Sequence, residues 1–258
     1  MHRVFTGSVS MLGLLVLSSV ACAQGEVRVF AGGAVTGIAR QASEALAPGS
    51  GQSVVVVSDT TGSLQRRLET EVADVMFVSA PAIDALEEAS RLVPGTRVDV
   101  ARALIGVGVR ADAPSPDLST AETFRDALLE ARSVSYVNPA AGGRSGTCFE
   151  GLLRRMGIAD AMASKIVYRL QGSEVADAVA TGEAELSITF TSELQTNPGV
   201  RVAGTLPAEI QLPTIYSAAM LVTAENSVGA RAFLSALASA EGRAAVIASG
   251  LEPISPAQ

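Results

Sequence analysis

The chain has 258 residues, of which 48% are hydrophobic, and it carries 26 acidic against 19 basic side chains. The net charge of -7 repels nucleic-acid phosphates and anionic membrane surfaces, which argues against a nucleic-acid-binding protein. The apolar content is sufficient for one large domain or for two smaller lobes.

The chain begins with the pattern of an export signal. A short positive start is followed by an apolar segment, residues 11–17, and by the small-x-small sequence Ala21-Cys22-Ala23. The apolar segment is too short for a permanent membrane-spanning helix. We therefore predict that residues 1–23 are a signal peptide and that the mature protein is periplasmic. Lipidation of Cys22 is an alternative processing route, for which the preceding sequence is a weaker match.

After this segment, short β-branched runs alternate with helical patterns. The predicted strands are residues 27–30, 53–58, 74–78, 134–137, 165–170 and 186–190, with longer extended stretches at 98–109 and 215–222. The predicted helices are residues 34–46, 63–70, 82–89, 120–131, 146–156, 175–181, 228–237 and 241–249. This alternation is typical of parallel sheets with helices on both faces, and therefore of an α/β protein.

The order of these elements predicts two similar lobes. One series of strands and helices spans residues 27–90 and a second spans 134–190, and the extended stretches near 104–110 and 213–222 are predicted to cross between them. The two C-terminal helices would then return to the first lobe. The predicted boundaries are 24–106 and 217–258 for lobe 1 and 107–216 for lobe 2. A clamshell that opens and closes over a ligand is expected to be a monomer.

The mature chain lacks several side chains on which common catalytic mechanisms depend. His2 is the only histidine and lies in the predicted signal peptide, so no Ser-His-Asp triad and no histidine metal site are available. Cys148 is the only cysteine that remains, and Lys165 is the only lysine. We expect no disulfide, no metal and no cofactor, and the sequence favours a binding protein over an enzyme.

Four turns that follow predicted strands are rich in glycine and hydroxyl residues: 31–37, 59–63, 138–147 and 171–174. In open α/β sheets, ligands collect at the carboxyl ends of the strands, where helix N-termini favour negative charge. Arg144 adds a guanidinium group that suits a carboxylate. One such turn alone is more often a helix cap, but four of them in an exported protein predict a site for a small anion.

Four segments, 29–36, 61–67, 71–80 and 182–186, resemble the periplasmic molybdate-binding protein family. The Ala-Asp-Val sequence at the start of a strand, after a short helix, is the most specific part of this resemblance. The resemblance implies a two-lobed type II solute-binding fold, in which each lobe is a mostly parallel sheet flanked by helices and two strands cross between the lobes. It also implies a small anionic ligand and, as partner, the membrane permease of an ABC importer.

The same resemblance, together with the four turns, gives the predicted ligand contacts. These are Gly33, Ala34, Thr61, Gly62, Ser63, Arg144, Ser145, Gly146, Val175 and Phe190. The first-loop serine of the family falls on Ala34 and its ligand tyrosine on Phe190, so two hydroxyl groups are missing. Since an unmatched buried oxygen costs about 1–3 kcal/mol, the resemblance argues against molybdate as the ligand.

Three further segments, 95–102, 106–110 and 113–120, resemble a divergent branch of molybdate-binding-like exported proteins, to which exported aconitate isomerases are similar. Two functions therefore stay open. The first is capture of an oxyanion or organic carboxylate for an importer, from which a ligand-sensing role cannot be separated by sequence. The alternative is isomerisation of a polycarboxylate, for which the candidate bases are Asp59, Tyr136, Lys165, Glu174 and Tyr216.

Overall fold

The computed structural model describes residues 25–50 and 53–254. The predicted signal peptide and Cys22 lie outside the described residues. The strands are β1 (Glu26–Gly32), β2 (Ser53–Asp59), β3 (Val75–Ser79), β4 (Val98–Ala103), β5 (Ile105–Arg110), β6 (Val134–Val137), β7 (Ile166–Arg169), β8 (Leu186–Phe190), β9 (Val200–Thr205), β10 (Thr214–Met220) and β11 (Glu252–Pro253). The helices are α1 (Thr36–Ser50), α2 (Thr61–Arg67), α3 (Ala80–Glu88), α4 (Ala121–Glu130), α5 (Arg144–Arg155), α6 (Ala159–Met162), α7 (Gly172–Ala180), α8 (Thr191–Leu194), α9 (Ser227–Ala238) and α10 (Ala240–Ala248).

The strands form two separate sheets. One has the order β11-β4-β10-β3-β1-β2 and the other the order β7-β6-β8-β5-β9. In the first sheet β1 pairs in parallel with β2 and β3, and in the second β6 pairs in parallel with β7 and β8. The remaining pairs are antiparallel. The α/β class is as predicted, but each sheet is mixed rather than mostly parallel, because periodicity reveals an extended segment and not the direction of its neighbour.

The chain changes sheet at two places. It leaves the first sheet after β4 and enters the second at once with β5, and it returns between β9 and β10. The predicted boundaries at 106/107 and 216/217 therefore fall inside β5 and β10. Neither strand crosses between the sheets. The extended pattern continues from 98 to 109, and the sequence contains no turn signal at Leu104, where the change occurs.

Every strand and helix predicted from periodicity is present, with ends that differ by a few residues. The elements that the sequence reading did not identify are short or lie at an edge: α6, α8, β9 and β11. Helices α6 and α8 have four residues each, which is too few to show a helical period. No helix among the described residues is long and apolar enough to cross a membrane.

The centre of the first sheet is buried on both faces. Val29 and Ala31 in β1 belong to one hydrophobic cluster, whereas Phe30 between them belongs to another, because successive strand residues point to opposite faces. Met76 and Phe77 in β3 divide in the same way. This packing fixes the carboxyl ends of these strands, and the loops that follow them carry the candidate site.

Candidate functional site

A cavity of about 330 Å³ lies where the loops after β1, β2, β6 and β7 meet the ends of β8 and β10. This volume is at the lower end of the range for small-molecule sites. The cavity is lined by Gly33, Thr36, Arg40, Ser58, Asp59, Thr60, Thr61, Val137, Gly143, Arg144, Ser145, Gln171, Gly172, Ser173, Phe190, Glu193, Thr196 and Tyr216. Residues from both sheets contribute, so a bound molecule would contact both halves of the fold.

Half of the predicted ligand contacts line this cavity. They are Gly33, Thr61, Arg144, Ser145 and Phe190. The other five, Ala34, Gly62, Ser63, Gly146 and Val175, lie outside its lining. Their contact with a ligand stays a prediction.

The positions of these five residues have clear structural causes. Ala34 is buried in the main hydrophobic cluster, and Gly146 packs against the end of β6. The Ser63 hydroxyl donates to Asp59 at 2.6 Å. The side chain of Val175 is fully buried, and its backbone N–H donates to the Gln171 carbonyl at 3.2 Å. The donors predicted at Ser63 and Val175 are therefore engaged within the protein.

Arg144 is the first residue of α5 and faces the cavity. Its Nε is buried and has no hydrogen-bond partner in the part of the chain that the structure describes. Arg144 also forms no ion pair there, in contrast to Arg154 on the same helix, which pairs with Glu150 at 2.9 Å. A buried, unmatched guanidinium donor is costly unless a ligand satisfies it. The site therefore offers a planar cation to an incoming acceptor.

The turn after β2 is stabilised by internal hydrogen bonds. The Asp59 carboxylate accepts from the Thr60 N–H at 2.7 Å and from the Ser63 hydroxyl. The Thr60 hydroxyl accepts from the Ser63 N–H at 3.2 Å and donates to the Ala141 carbonyl at 2.6 Å. Both oxygens of Asp59 thus accept hydrogen bonds within the turn, although the side chain borders the cavity.

The loops on the two sides of the cavity touch directly. The Gly62 N–H donates to the Gly142 carbonyl at 3.2 Å. A Cβ atom added to Gly62 would lie 2.9 Å from the Cα of Gly142, a separation that real side chains essentially never adopt. The absence of a side chain at this position therefore permits the two loops to close over the cavity.

We expect the Gly62→Ala variant to bind a ligand of this cavity about tenfold more weakly, because the methyl group holds the loops apart. Titration calorimetry measures this loss. Gly25→Ala is the control, since its methyl group would make only ordinary contacts, the nearest at 3.5 Å from Asn226. Equal affinities for the Gly62→Ala variant and the wild type would show that this contact does not contribute to closure.

Three of the five candidate bases lie outside the cavity lining. The Tyr136 hydroxyl donates to Tyr168 at 3.3 Å, and burial raises its pKa. Lys165 donates to the Leu129 carbonyl, and Glu174 accepts from the backbone N–H of Leu170, the residue after β7. Each of these groups has a structural partner away from the site.

The other two candidates, Asp59 and Tyr216, line the cavity. Tyr216 is 3% exposed and packs edge-on against Phe190, with the ring centroids 5.8 Å apart. Burial, reinforced by the nearby Glu193, raises the pKa of Tyr216 well above its ordinary value. The phenol therefore keeps its proton at neutral pH and can act as a hydrogen-bond donor rather than a base.

Sequence reasoning missed Glu193, which is 8% exposed and lines the cavity. Its Oε2 accepts from the Thr189 hydroxyl, whose oxygen lies 3.1 Å from the Ser145 hydroxyl. Burial raises the pKa of Glu193, opposed by hydrogen bonds from Thr189 and the Phe190 backbone. The sequence could have indicated Glu193 through its position, because it lies three residues after the end of the predicted strand 186–190, and ligand loops follow strand ends in α/β sheets.

Two glycines make room for the Glu193 carboxyl group. A Cβ atom at Gly33 would lie 2.6 Å from its Oε1, and one at Gly172 would overlap its carboxyl atoms. Gly172 begins α7, so the carboxyl group lies beside a helix N-terminus, which favours its ionised form. Burial therefore raises the pKa of the Glu193 carboxyl group, whereas the helix N-terminus acts to lower it.

We expect the Glu193→Gln variant to be more stable than the wild type at alkaline pH and to lose this advantage on acidification. The folded pKa of Glu193 lies above the unfolded value, so the folded state binds the proton more tightly. The resulting stability is complete below the ordinary glutamate pKa and is lost as the pH rises through the raised value. Thermal unfolding at about pH 4 and about pH 8 tests this. A constant difference between the two proteins would contradict it.

No group of three or more His, Cys, Asp or Glu side chains within residues 25–50 and 53–254 is arranged to hold a metal ion.

A sequence model of the bacterial extracellular solute-binding protein family matches residues 27–252. An aconitate isomerase from a Pseudomonas species is 31% identical over 257 aligned positions, and the alignment covers 96% of each chain.

Solved structures share the fold at lower identity. The periplasmic molybdate-binding protein of Azotobacter vinelandii has a TM-score of 0.72 at 20% identity, covering 90% of this chain and all of that one. A sulfate-binding protein of Mycobacterium tuberculosis has a TM-score of 0.70 at 14% identity, covering 90% and 88%. The architecture is thus that of type II periplasmic binding proteins. The match over residues 27–252 establishes that this protein belongs to the bacterial extracellular solute-binding protein family.

Proposed function

We propose that the protein captures a small organic anion with two or more carboxylates in the cavity between the two sheets. The observation that carries this proposal is Arg144, which lines the cavity, forms no ion pair within the described residues and has a buried Nε without a hydrogen-bond partner there. A guanidinium group binds a carboxylate through two parallel hydrogen bonds. Thr61 and Tyr216 add hydroxyl groups around it, whereas the Ser145 hydroxyl is hydrogen-bonded to Thr189.

The cavity suits a carboxylate better than a tetrahedral oxyanion such as molybdate. Ala34 belongs to the core and Phe190 packs against Tyr216, so neither supplies a hydroxyl to a fourth oxygen. The carboxyl group of Glu193 also lies beside the N-terminus of α7, where it disfavours a second compact anion. A longer molecule can keep its carboxylates near Arg144 and place carbon atoms near Glu193.

Thermal shift and calorimetry with citrate, trans-aconitate, sulfate and molybdate test this proposal. A ligand at 100 times its dissociation constant stabilises the folded protein by about 2.7 kcal/mol. We expect that response to a tricarboxylate and little response to molybdate or sulfate. A strong response to molybdate alone would overturn the proposed ligand class.

We further propose that the protein works in the periplasm as a monomer and delivers its ligand to the permease of an ABC importer. Family membership and the signal-like N-terminus support this. Cell fractionation and N-terminal sequencing test the export, with a mature start near Gln24 expected. A mature chain that starts with a lipidated Cys22 would show that the protein is anchored to the membrane. Uptake of the ligand that persists after deletion of the gene would contradict the importer role.

A second candidate function is isomerisation of an unsaturated tricarboxylate on the same scaffold. The observation that favours it is the 31% identity, over 96% of both chains, to a relative named aconitate isomerase. The direct test is to incubate the purified protein with trans-aconitate and follow the cis isomer. Conversion of many ligand molecules per protein molecule would establish this activity, and a protein that binds trans-aconitate without converting it is a binding protein only.

A further inference from the structure

Glu193 is a buried carboxyl group that the capture of an anion does not require. The two buried carboxyl groups among the described residues are Asp74 and Glu193. Asp74 has a structural role, since its oxygens accept from the backbone N–H groups of Arg28 and Asn226 at 2.7 and 2.8 Å. Glu193 instead borders the cavity, where its negative charge opposes that of the proposed ligand. A buried acid placed against its own ligand suggests a chemical role.

The surroundings of Glu193 allow it to exist with and without a proton. Hydrogen bonds from Thr189 and the nearby start of α7 stabilise the ionised form, whereas burial stabilises the neutral form. No cation in the part of the chain that the structure describes forms an ion pair with it. The other charged or titratable side chains that line the cavity are Arg40, Asp59, Arg144 and Tyr216.

We propose that Glu193 is the acid–base residue of this cavity, which takes a proton from one carbon atom of a bound unsaturated tricarboxylate and returns it to another. This inference rests on the second candidate function above. It assigns the reacting group to Glu193, which is not among the candidate bases named from the sequence.

The proposed step is balanced within the ligand and the carboxyl group. The Glu193 carboxylate removes a proton from the methylene group beside the double bond, so that a C–H bond breaks and an O–H bond forms. The electron pair spreads over the double bond and its conjugated carboxylate. The Glu193 carboxylic acid, whose proton exchanges with solvent, then transfers a proton to the far alkene carbon, which forms a new C–H bond, moves the double bond by one position and regenerates the Glu193 carboxylate. No oxidant, reductant or other reactant is needed.

The remaining groups have complementary tasks in this scheme. Arg144 neutralises the carboxylate that is conjugated with the double bond and so stabilises the charge that develops there. Tyr216 keeps its proton and donates a hydrogen bond. Asp59 is less suitable as the base because its oxygens already accept from Thr60 and Ser63. A glutamate with a raised pKa is closer to the operating pH, where a general base is most effective.

Exchange of ligand hydrogens with solvent tests the proposal. The full mature protein is mixed with trans-aconitate in D₂O, and loss of the methylene proton signal is followed by NMR while calorimetry records binding. We expect exchange with the wild type and a decrease of at least about a hundredfold in the Glu193→Gln variant, with binding retained. Glu174→Gln is the matched control, because that carboxyl group lies outside the cavity and accepts from the Leu170 N–H.

A pH profile separates an acid–base role from a structural one. The wild-type exchange rate should rise with pH until Glu193 is ionised and then level off, and Glu193→Asp should keep that shape at a lower rate. Rapid exchange in the Glu193→Gln variant would overturn the assignment while leaving isomerisation intact. Binding with neither exchange nor formation of the cis isomer in the wild type would overturn the inference while leaving ligand capture intact. Absence of trans-aconitate binding would overturn both the inference and the proposed ligand.

Discussion

The Arg144→Gln variant should bind an organic tricarboxylate at least about a hundredfold more weakly than the wild type, a loss of about 3 kcal/mol. Arg144 begins α5 at the cavity wall, and its Nε has no partner among the described residues. The free protein therefore bears the cost of an unmatched donor, and the ligand recovers it on binding. Glutamine keeps much of the length but removes both the charge and the two-pronged geometry.

Titration calorimetry on the purified variants measures this effect, and Arg154→Gln is the matched control on the same helix. Arg154 is 69% exposed and pairs with Glu150 one helical turn away, so its replacement should leave the affinity within about twofold of the wild type. If both variants bound the tricarboxylate as tightly as the wild type, Arg144 would not be the anchor and the proposed ligand class would lose its main support.

The Gly146→Ala variant should lower the free energy of unfolding by about 3 kcal/mol. A methyl group at Gly146 would overlap the backbone carbonyl oxygen of Val137 at the end of β6, and a backbone atom cannot move aside as a side chain can. The N-terminal turn of α5 must then shift away from the sheet. Because Arg144 lies in that turn, the variant should also bind ligand more weakly.

Chemical denaturation measures the loss of stability, and Gly151→Ala is the control within the same helix. A methyl group at Gly151 would have only the end of the Arg155 side chain nearby, at 3.6 Å. Alanine is a better helix former than glycine, so this variant should be more stable by about 0.5–1 kcal/mol. If both substitutions had the same small effect, α5 would not be held closely against β6.

The sequence predicted part of the candidate site because the glycine and polar residues that follow a strand end are visible in a short stretch of sequence. Gly33, Thr61, Arg144 and Ser145 all follow strand ends, where α/β sheets present loops to ligands, and the structure places each of them at the cavity. A glycine or hydroxyl at such a turn can face either the cavity or the protein, however. Ser63 faces Asp59 and Val175 faces the core, and no local pattern distinguishes these outcomes.

Glu193 was missed for a different reason. Its place in the cavity depends on close contacts with Gly33 and Gly172, which are far from it along the chain. Its pKa depends on burial, which is a property of the whole assembly rather than of the residues beside it. A carboxyl group in a short helix after a strand has no distinctive sequence pattern, because both of these conditions arise only in the folded protein.

The amino-acid sequence by itself determined the α/β class and the positions of most strands and helices, because period and turn chemistry act over a few neighbouring residues. The tertiary structure decided which strands run antiparallel, where the chain passes from one sheet to the other, and which polar groups are buried together. These properties depend on contacts between distant segments, such as Gly62 with Gly142 and Thr189 with Ser145. The cavity, and with it the burial of the Arg144 Nε and of the Glu193 carboxyl group at its wall, exists only after both halves of the chain have packed together.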